Sequence, residues 1–200
     1  MARLGLFGGS FDPPHLGHLI LASEAHFQRA LDCVLWIVTL QPPHKSRTHS
    51  QVEDRVAMVE AAIAGDTAFR LSRIEIDRPG PHFTLETLEL LRASNPDDQL
   101  VYLMGGDSFS MLSTWQRSQA VIAACDEISV MRRPGDSIDL SGLENEIPGL
   151  VSKATFIDAP LLEISSRELR RRIAAGEPVK YFLPPAVLQV IQAKKLYLNP

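Results

Sequence analysis

The sequence predicts an α/β fold with a doubly wound parallel sheet of the Rossmann type. Short, continuous apolar runs, which suit strands covered on both faces, alternate along the chain with segments of helical spacing. The first apolar run ends in Gly8-Gly9, where such folds turn from a strand into a helix. This alternation predicts that ligands bind beyond the carboxyl ends of the strands.

The first half of the chain is predicted to hold five elements. Strands are expected over residues 4–7, 33–38 and 69–76, and helices over 16–30 and 52–64. The run over 33–38 is apolar throughout, and the run over 69–76 alternates well enough for a strand. A proline-rich segment over 41–50 interrupts the regular pattern.

The second half continues the alternation of strands and helices. A leucine-rich helix over 85–93 precedes a strand over 100–104, and a helix that closes over 120–124 precedes a strand over 128–131. Residues 132–149, which are rich in Pro, Gly and Asp, are predicted to form an irregular surface excursion. A strand over 155–157 and helices over 165–174 and 185–194 follow, the first helix with Ser165 as its N-cap.

Length and composition indicate one globular domain over residues 1–200. The chain has 200 residues, of which 45% are hydrophobic and 22% charged, so a sizeable core is expected. A net charge of −4 and a pI near 5.9 argue against nucleic-acid or membrane partners. Cys33 and Cys125 lie among apolar residues, which is typical of reduced thiols, and no signal peptide is apparent, so the expected compartment is the cytoplasm.

The segment after the first strand indicates phosphate binding. Gly8, Gly9 and Ser10 stand where backbone N–H groups and a helix N-terminus can meet an anion. The spacing matches neither the G-x-G-x-x-G dinucleotide fingerprint nor the G-x-x-x-x-G-K-[ST] phosphate loop. Another phosphate-binding device is therefore expected.

That device is predicted to be His15-Leu16-Gly17-His18. Imidazoles three residues apart at a helix start lie on one face, and Gly17 would leave room for a ligand. Their N–H groups can neutralise charge that builds on a reacting phosphate. A helix-capping role for one histidine and a zinc site are the alternatives, but ligands at a recognisable zinc spacing do not accompany the pair.

Residues 9–18 resemble the nucleotidyltransferase superfamily with the HxGH signature, in which a G-x-F-D-P-x-H-x-G-H segment binds ATP phosphates. The resemblance implies a Rossmann-like nucleotidyltransferase fold and places Phe11 in the ATP-binding segment. Residues 164–170 resemble the superfamily's I-S-S-T-x-I-R motif. By that resemblance Ser165, Ser166 and Arg170 bind phosphate, with helix capping as the alternative for the two serines, whereas Arg167 replaces the usual Thr.

Further segments resemble the bacterial nicotinate-mononucleotide adenylyltransferase family over residues 4–197. In that family a P-P-H-K loop contacts the mononucleotide phosphate, which here corresponds to His44 and Lys45, with an exposed, proline-stiffened basic loop as the alternative. The resemblance places nicotinate against Trp115 and near Thr84, and a G-x-D pattern places Gly105 and Asp107 at the nucleotide, with Asp107 on a ribose hydroxyl.

The resemblance implies transfer of AMP from ATP to nicotinate mononucleotide in NAD biosynthesis, with Mg²⁺ held through the substrate phosphates and no metal site built by the protein. Alternatives remain open at this point. The protein could be another adenylyl- or cytidylyltransferase of the superfamily, such as a pantetheine-phosphate adenylyltransferase, because these enzymes share the HxGH segment. It could also be a regulator that binds nucleotides without catalysis. Trp115 could instead be an ordinary aromatic residue of the core, and Thr84 and Asp107 could instead cap helices.

Overall fold

Parallel strands form the centre of the molecule in the computed structural model, which describes residues 1–40, 50–80, 82–131, 138–160 and 162–198. Within these residues six strands pair in the order β3-β2-β1-β4-β5-β6, and every neighbouring pair is parallel. The strands are β1 (Arg3–Gly9), β2 (Cys33–Val38), β3 (Phe69–Ser72), β4 (Gln99–Gly105), β5 (Glu127–Met131) and β6 (Ala154–Ile157). The predicted doubly wound α/β fold is confirmed.

Helices connect the strands and cover both faces of the sheet. They are α1 (Leu16–Gln28), α2 (Val52–Ile63), α3 (Thr84–Ser94), α4 (Gly106–Ser110), α5 (Ser118–Ala124), α6 (Leu140–Glu146), α7 (Leu150–Lys153), α8 (Ser166–Ala174) and α9 (Pro185–Ala193), with a 3₁₀ turn at Leu112–Thr114. Among the described residues, none of the helices has both the length and the apolar character that crossing a membrane requires.

Two apolar cores lie on opposite faces of the sheet. Neighbouring strand residues point to opposite faces, so Leu6 and Leu100 join the core under α3 and α5, whereas Phe7 and Val101 join the core under α1 and α2. All four side chains are buried. Burial on both faces is the reason why these strands are apolar without alternation.

The third strand is shorter than predicted. The expected strand covers residues 69–76, but β3 ends at Ser72, which pairs with Ile37 of β2. β3 is an edge strand, and β2 ends one residue later at Val38, so a longer β3 would have almost nothing to pair with. Residues 73–77 instead form a turn, in which the N–H groups of Ile76 and Asp77 donate to the Arg73 carbonyl.

The prediction of an irregular segment over 132–149 is wrong for its second half, while residues 132–137 lie outside the described residues. Asp139 caps α6, since its side chain accepts a hydrogen bond from the N–H of Gly142 at 2.9 Å. Leu143 and Ile147, four residues apart, are buried in the core under α3 and α5. The cap and this spacing stabilise a helix within a stretch of turn-forming residues.

A third apolar cluster joins the C-terminal helices to the rest of the molecule. Leu169 of α8 and Val187 and Ile191 of α9 pack with Met58 of α2. Met58, Leu169, Val187 and Ile191 are all buried. This packing places α8, which carries the second predicted phosphate motif, beside the turn that follows β1.

Candidate active site

A cavity of about 310 Å³ opens at the carboxyl edge of the sheet. It lies beyond β1 and β4, the neighbouring strands at which the strand order reverses. Crevices of this kind are the usual ligand sites of doubly wound sheets. One wall contains Gly8, Gly9, Ser10 and the start of α1, and the facing wall contains the start of α3 and the end of β4.

His15 and His18 lie together at the start of α1, as their spacing predicts. Their ring centroids are 3.7 Å apart, and both residues line the cavity. The backbone N–H of His15 donates to Nδ1 of His18 at 3.2 Å. Because Nδ1 accepts this bond, a neutral His18 ring carries its proton on Nε2 and can act as a donor there.

The space beside Gly17 is occupied by the imidazole ring of His15. A Cβ atom at residue 17 would lie 3.1 Å from Nδ1 of His15, so the small residue lets the His15 ring fold back over the helix. Gly17 lines the cavity and the His15 ring occupies the nearest space, so room for a ligand beside the glycine stays a prediction.

Phe11 packs its ring against the aromatic residues beneath the β1–α1 turn. Its backbone φ is +46°, a region that few residues other than glycine adopt, and its ring packs edge-on to Phe7 at 5.2 Å and against Trp36 at 5.0 Å. A Cβ atom at Gly9 would lie 2.9 Å from the Phe11 ring. Phe11 is 2% exposed and lies outside the lining of the cavity, so its part in ATP binding stays a prediction.

Arg55 is a buried cation at this edge that the sequence analysis did not single out. It is 1% exposed and lies on α2. Its Nη1 donates to the carbonyls of Ser10 at 2.9 Å and Thr39 at 2.7 Å, and its Nη2 donates to the carbonyl of Leu40 at 3.1 Å. It therefore joins the turn after β1 to the turn after β2. The sequence signal that could have identified Arg55 is a charged residue within the apolar stripe of a predicted helix.

The second predicted phosphate motif contacts the first. Ser166 donates through its hydroxyl to the Pro13 carbonyl at 2.9 Å, and Nη1 of Arg170 donates to the Asp12 carbonyl at 2.6 Å. Ser165 caps α8, because its hydroxyl accepts from the N–H of Glu168. Among the described residues of this region, Leu162 and Ile164 line the cavity, and Ser165, Ser166 and Arg170 lie outside its lining. Their roles as phosphate ligands stay predictions.

The facing wall contains Thr84 and Trp115. Trp115 is partly buried, lines the cavity and meets the Tyr102 ring edge-on at 6.2 Å. Thr84 is the first residue of α3 and follows the N-cap Phe83, so its alternative role as the N-cap is wrong by one residue. Burial raises the pKa of Tyr102 above its usual range, while a hydrogen bond with the Thr84 side chain opposes that shift.

Two titratable residues that the sequence analysis did not name also line this wall. Glu75 is 6% exposed and accepts a hydrogen bond from Oγ1 of Thr87 at 2.9 Å. Burial raises the pKa of its carboxyl group. Burial, and next the positive charge of Arg78, lower the pKa of His82. Glu75 lies in the turn after β3, which no sequence pattern assigned to the site, whereas His82 directly precedes the N-cap of α3.

Gly105 and Asp107 line the cavity at the end of β4. Gly105 is the N-cap residue of α4 and Asp107 lies in the first turn, where a carboxylate suits the helix dipole. Asp107 is exposed, as a contact with a ribose hydroxyl requires. The predicted mononucleotide contacts His44 and Lys45 lie outside the described residues.

Comparisons with known proteins agree with this geometry. The cytidylyltransferase-like family model matches residues 6–172. A probable nicotinate-nucleotide adenylyltransferase from Bacillus pumilus is 39% identical over 198 residues, which are 98% of this chain and 99% of that protein. One from Thermomicrobium roseum is 38% identical, over 98% of this chain and 92% of that protein.

A solved structure of similar fold is Plasmodium falciparum nicotinic acid mononucleotide adenylyltransferase complexed with NaAD. It is 19% identical and has a TM-score of 0.83, over 100% of this chain and 99% of that one. At that identity the likeness shows the fold. The family follows from the sequence relatives, whose matches run nearly end to end. The chain belongs to the cytidylyltransferase-like family and to the nicotinate-nucleotide adenylyltransferases.

Proposed function

We propose that this protein transfers AMP from ATP to nicotinate mononucleotide and releases nicotinate adenine dinucleotide and pyrophosphate, a step of NAD biosynthesis. The observation that carries the proposal is that one cavity is lined by both predicted half-sites. Gly8, Gly9 and the two histidines form one wall, and Thr84 and Trp115 form the other. The names of the sequence relatives support the same activity.

The reaction requires no protein nucleophile. An oxygen of the mononucleotide phosphate, already anionic at neutral pH, forms a bond to the α-phosphorus of ATP. The bond between that phosphorus and the oxygen bridging to the β-phosphate breaks, and pyrophosphate leaves with the electron pair. The protein has to align the two phosphates and neutralise the charge that develops.

We assign charge neutralisation to the wall built from the β1–α1 turn. Nε2–H of His18 would donate to a phosphate oxygen, because Nδ1 accepts from the backbone N–H of His15. Backbone N–H groups near Gly9 and Ser10 add neutral donors that approach closely where no side chain intervenes. Arg170 would add a positive charge through the donor groups that remain beside its bond to the Asp12 carbonyl.

We assign pyridine recognition to the facing wall. The partly buried indole of Trp115 offers a flat face to a pyridinium ring, and its edge contact with Tyr102 keeps that face in place. The nicotinate carboxylate would bind at the N-terminus of α3, close to Thr84, where backbone N–H groups lack partners within the helix.

Mg²⁺ is proposed to bind through the phosphates of the substrates. Hard cations prefer oxygen ligands, and the phosphate oxygens of the substrates would supply them. Within the described residues, no three His, Cys, Asp or Glu side chains are grouped closely enough to hold an ion. When bound, Mg²⁺ would neutralise phosphate charge.

We propose the cytoplasm as the compartment of this protein. Cys33 and Cys125 are both buried and unpaired with each other. Thiols of this kind suit a reducing environment.

The test is incubation of the purified protein with ATP, Mg²⁺ and one candidate acceptor at a time. The acceptors are nicotinate mononucleotide, nicotinamide mononucleotide and phosphopantetheine, and pyrophosphate release is measured while products are identified by mass. We expect nicotinate adenine dinucleotide, and none after EDTA treatment. Release with phosphopantetheine alone, or with no acceptor, would overturn the proposal.

A further inference from the structure

The turn between β1 and α1 is held by residues from the C-terminal third of the chain. Arg170 and Ser166 donate to the carbonyls of Asp12 and Pro13, and the N–H of Leu16 donates to the Phe182 carbonyl at 3.0 Å. These bonds reach across more than 150 residues and surround the backbone that leads into His15 and His18.

A fourth contact reaches the side chain of Asp12. The Tyr197 hydroxyl donates to Oδ1 of Asp12 at 2.6 Å, across 185 residues of sequence, and the N–H of Ser50 donates to Oδ2 at 3.4 Å. Asp12 is 4% exposed. A buried carboxylate depends on its donors, because water cannot replace them. Tyr197 provides the shorter of these two bonds.

Tyr197 is suited to act as a donor. Burial, and next the negative charge of Asp12, raise the pKa of its phenol well above the usual range, so the hydroxyl keeps its proton at any working pH. Its ring packs in the C-terminal apolar cluster with Met58, whose sulfur lies 3.7 Å from the hydroxyl. Tyr197 also lies outside residues 6–172, the range matched by the family model.

We propose that Tyr197 is a positioning residue for the two histidines. Its hydroxyl holds Asp12, and Asp12 sets the path of the backbone that carries His15 and His18 at their ring separation of 3.7 Å. The residues that follow α9 thus belong to the ATP half of the site. This inference rests on the proposed function for its kinetic consequences.

The hydroxyl and the ring of Tyr197 have separable roles. The ring contributes to the apolar cluster that packs α9 on α2, and phenylalanine would preserve that packing. The hydroxyl donates to Asp12, and its other neighbours are the Met58 sulfur and the Ser50 side chain. Its removal therefore tests positioning with little change in the core.

The experiment compares Tyr197→Phe with Tyr181→Phe, a control in which the tyrosine is 81% exposed. We expect kcat to fall about tenfold in Tyr197→Phe, which corresponds to an activation free energy that is higher by about 1.4 kcal/mol. KM for nicotinate mononucleotide should change less than twofold. The control should match the wild type. In the absence of substrates, the imidazole Cε1–H resonances of His15 and His18, assigned by single replacements, should shift in Tyr197→Phe only.

A second variant keeps the inference testable if Tyr197→Phe folds poorly. Asp12→Asn retains an acceptor oxygen but removes the charge, so it should shift the same resonances and lower kcat. The double variant should be no slower than the slower single one, because both changes weaken the same Tyr197–Asp12 contact.

Unchanged histidine resonances in both variants would overturn the inference, and so would a lower melting temperature with normal kcat. If the wild type itself makes no product, the proposed function fails, whereas the resonances of the substrate-free protein still decide whether Tyr197 positions the histidines.

Discussion

Replacement of Arg55 by methionine tests whether a buried guanidinium holds the two turns that lead to the cavity. Arg55 is 1% exposed and donates to three backbone carbonyls, those of Ser10, Thr39 and Leu40. Methionine has a flexible apolar side chain that can fill most of the space, so the main loss is the donors. The three carbonyls would be left buried without their partner.

The structure sets the expected size of the effect. A hydrogen bond to a charged group contributes about 1.5–3 kcal/mol, and three such bonds are lost. Part of this loss is offset, because keeping a cation out of water is costly, as the burial-lowered pKa of Arg55 indicates. We expect the free energy of unfolding to fall by about 2–4 kcal/mol.

Urea unfolding of Arg55→Met and Arg73→Met measures this difference. Arg73 is a partly exposed arginine whose guanidinium bonds Glu53 at 2.9 Å, and surface pairs of this kind contribute little to stability. Because Arg55 holds the Ser10 turn, kcat/KM should also fall in Arg55→Met and stay normal in the control. A loss no larger than that of Arg73→Met, or a normal kcat/KM, would refute the reasoning.

Three further predictions concern the site and the acid stability of the fold. His18→Ala should lower kcat about a hundredfold with little change in KM for nicotinate mononucleotide, because a donor to the phosphate is removed. Steady-state kinetics measure the effect, with His26→Ala in the same helix as the control. Normal turnover in His18→Ala would contradict the assignment. Trp115→Ala should raise KM for the mononucleotide about tenfold by loss of stacking; an equal rise in KM for ATP would place the indole elsewhere. Burial raises the pKa of Glu127, but hydrogen bonds from Arg29 and two hydroxyls outweigh it and lower the pKa from 4.5 to about 2. The resulting stability is present above pH 4.5 and is lost as the pH falls toward 2. In Glu127→Gln the free energy of unfolding, measured in urea at several pH values, should therefore decrease less between pH 4.5 and 2, by up to about 3 kcal/mol. An unchanged decrease would contradict the pKa shift.

Much of the fold could be predicted because local pattern and tertiary role coincide. The strand over 33–38 is apolar throughout, and the structure places β2 at those residues inside the sheet. Where the role of a segment depends on its neighbours, prediction was wrong. The end of β3 depends on where β2 stops, and α6 depends on the burial of Leu143 and Ile147.

The candidate site divides in the same way. His15 and His18 could be paired from spacing, because a helix turn fixes their separation. Arg55 and Glu75 carried no motif, and their importance follows from burial at one edge of the sheet. Tyr102 carried none either, and it matters because it lines the cavity beside Trp115. Ser166 and Arg170 were predicted as phosphate ligands, and the structure adds their bonds to Pro13 and Asp12.

The sequence by itself determined the class of fold and the family and predicted the β1–α1 turn as a phosphate site, since each of these depends on short patterns of neighbouring residues. Only the tertiary structure decided how the turn is held. Arg55, Arg170 and Tyr197 reach it from α2, from α8 and from the residues after α9. Contacts between residues up to 185 positions apart arise from packing of the helices on the sheet, and no local pattern encodes them.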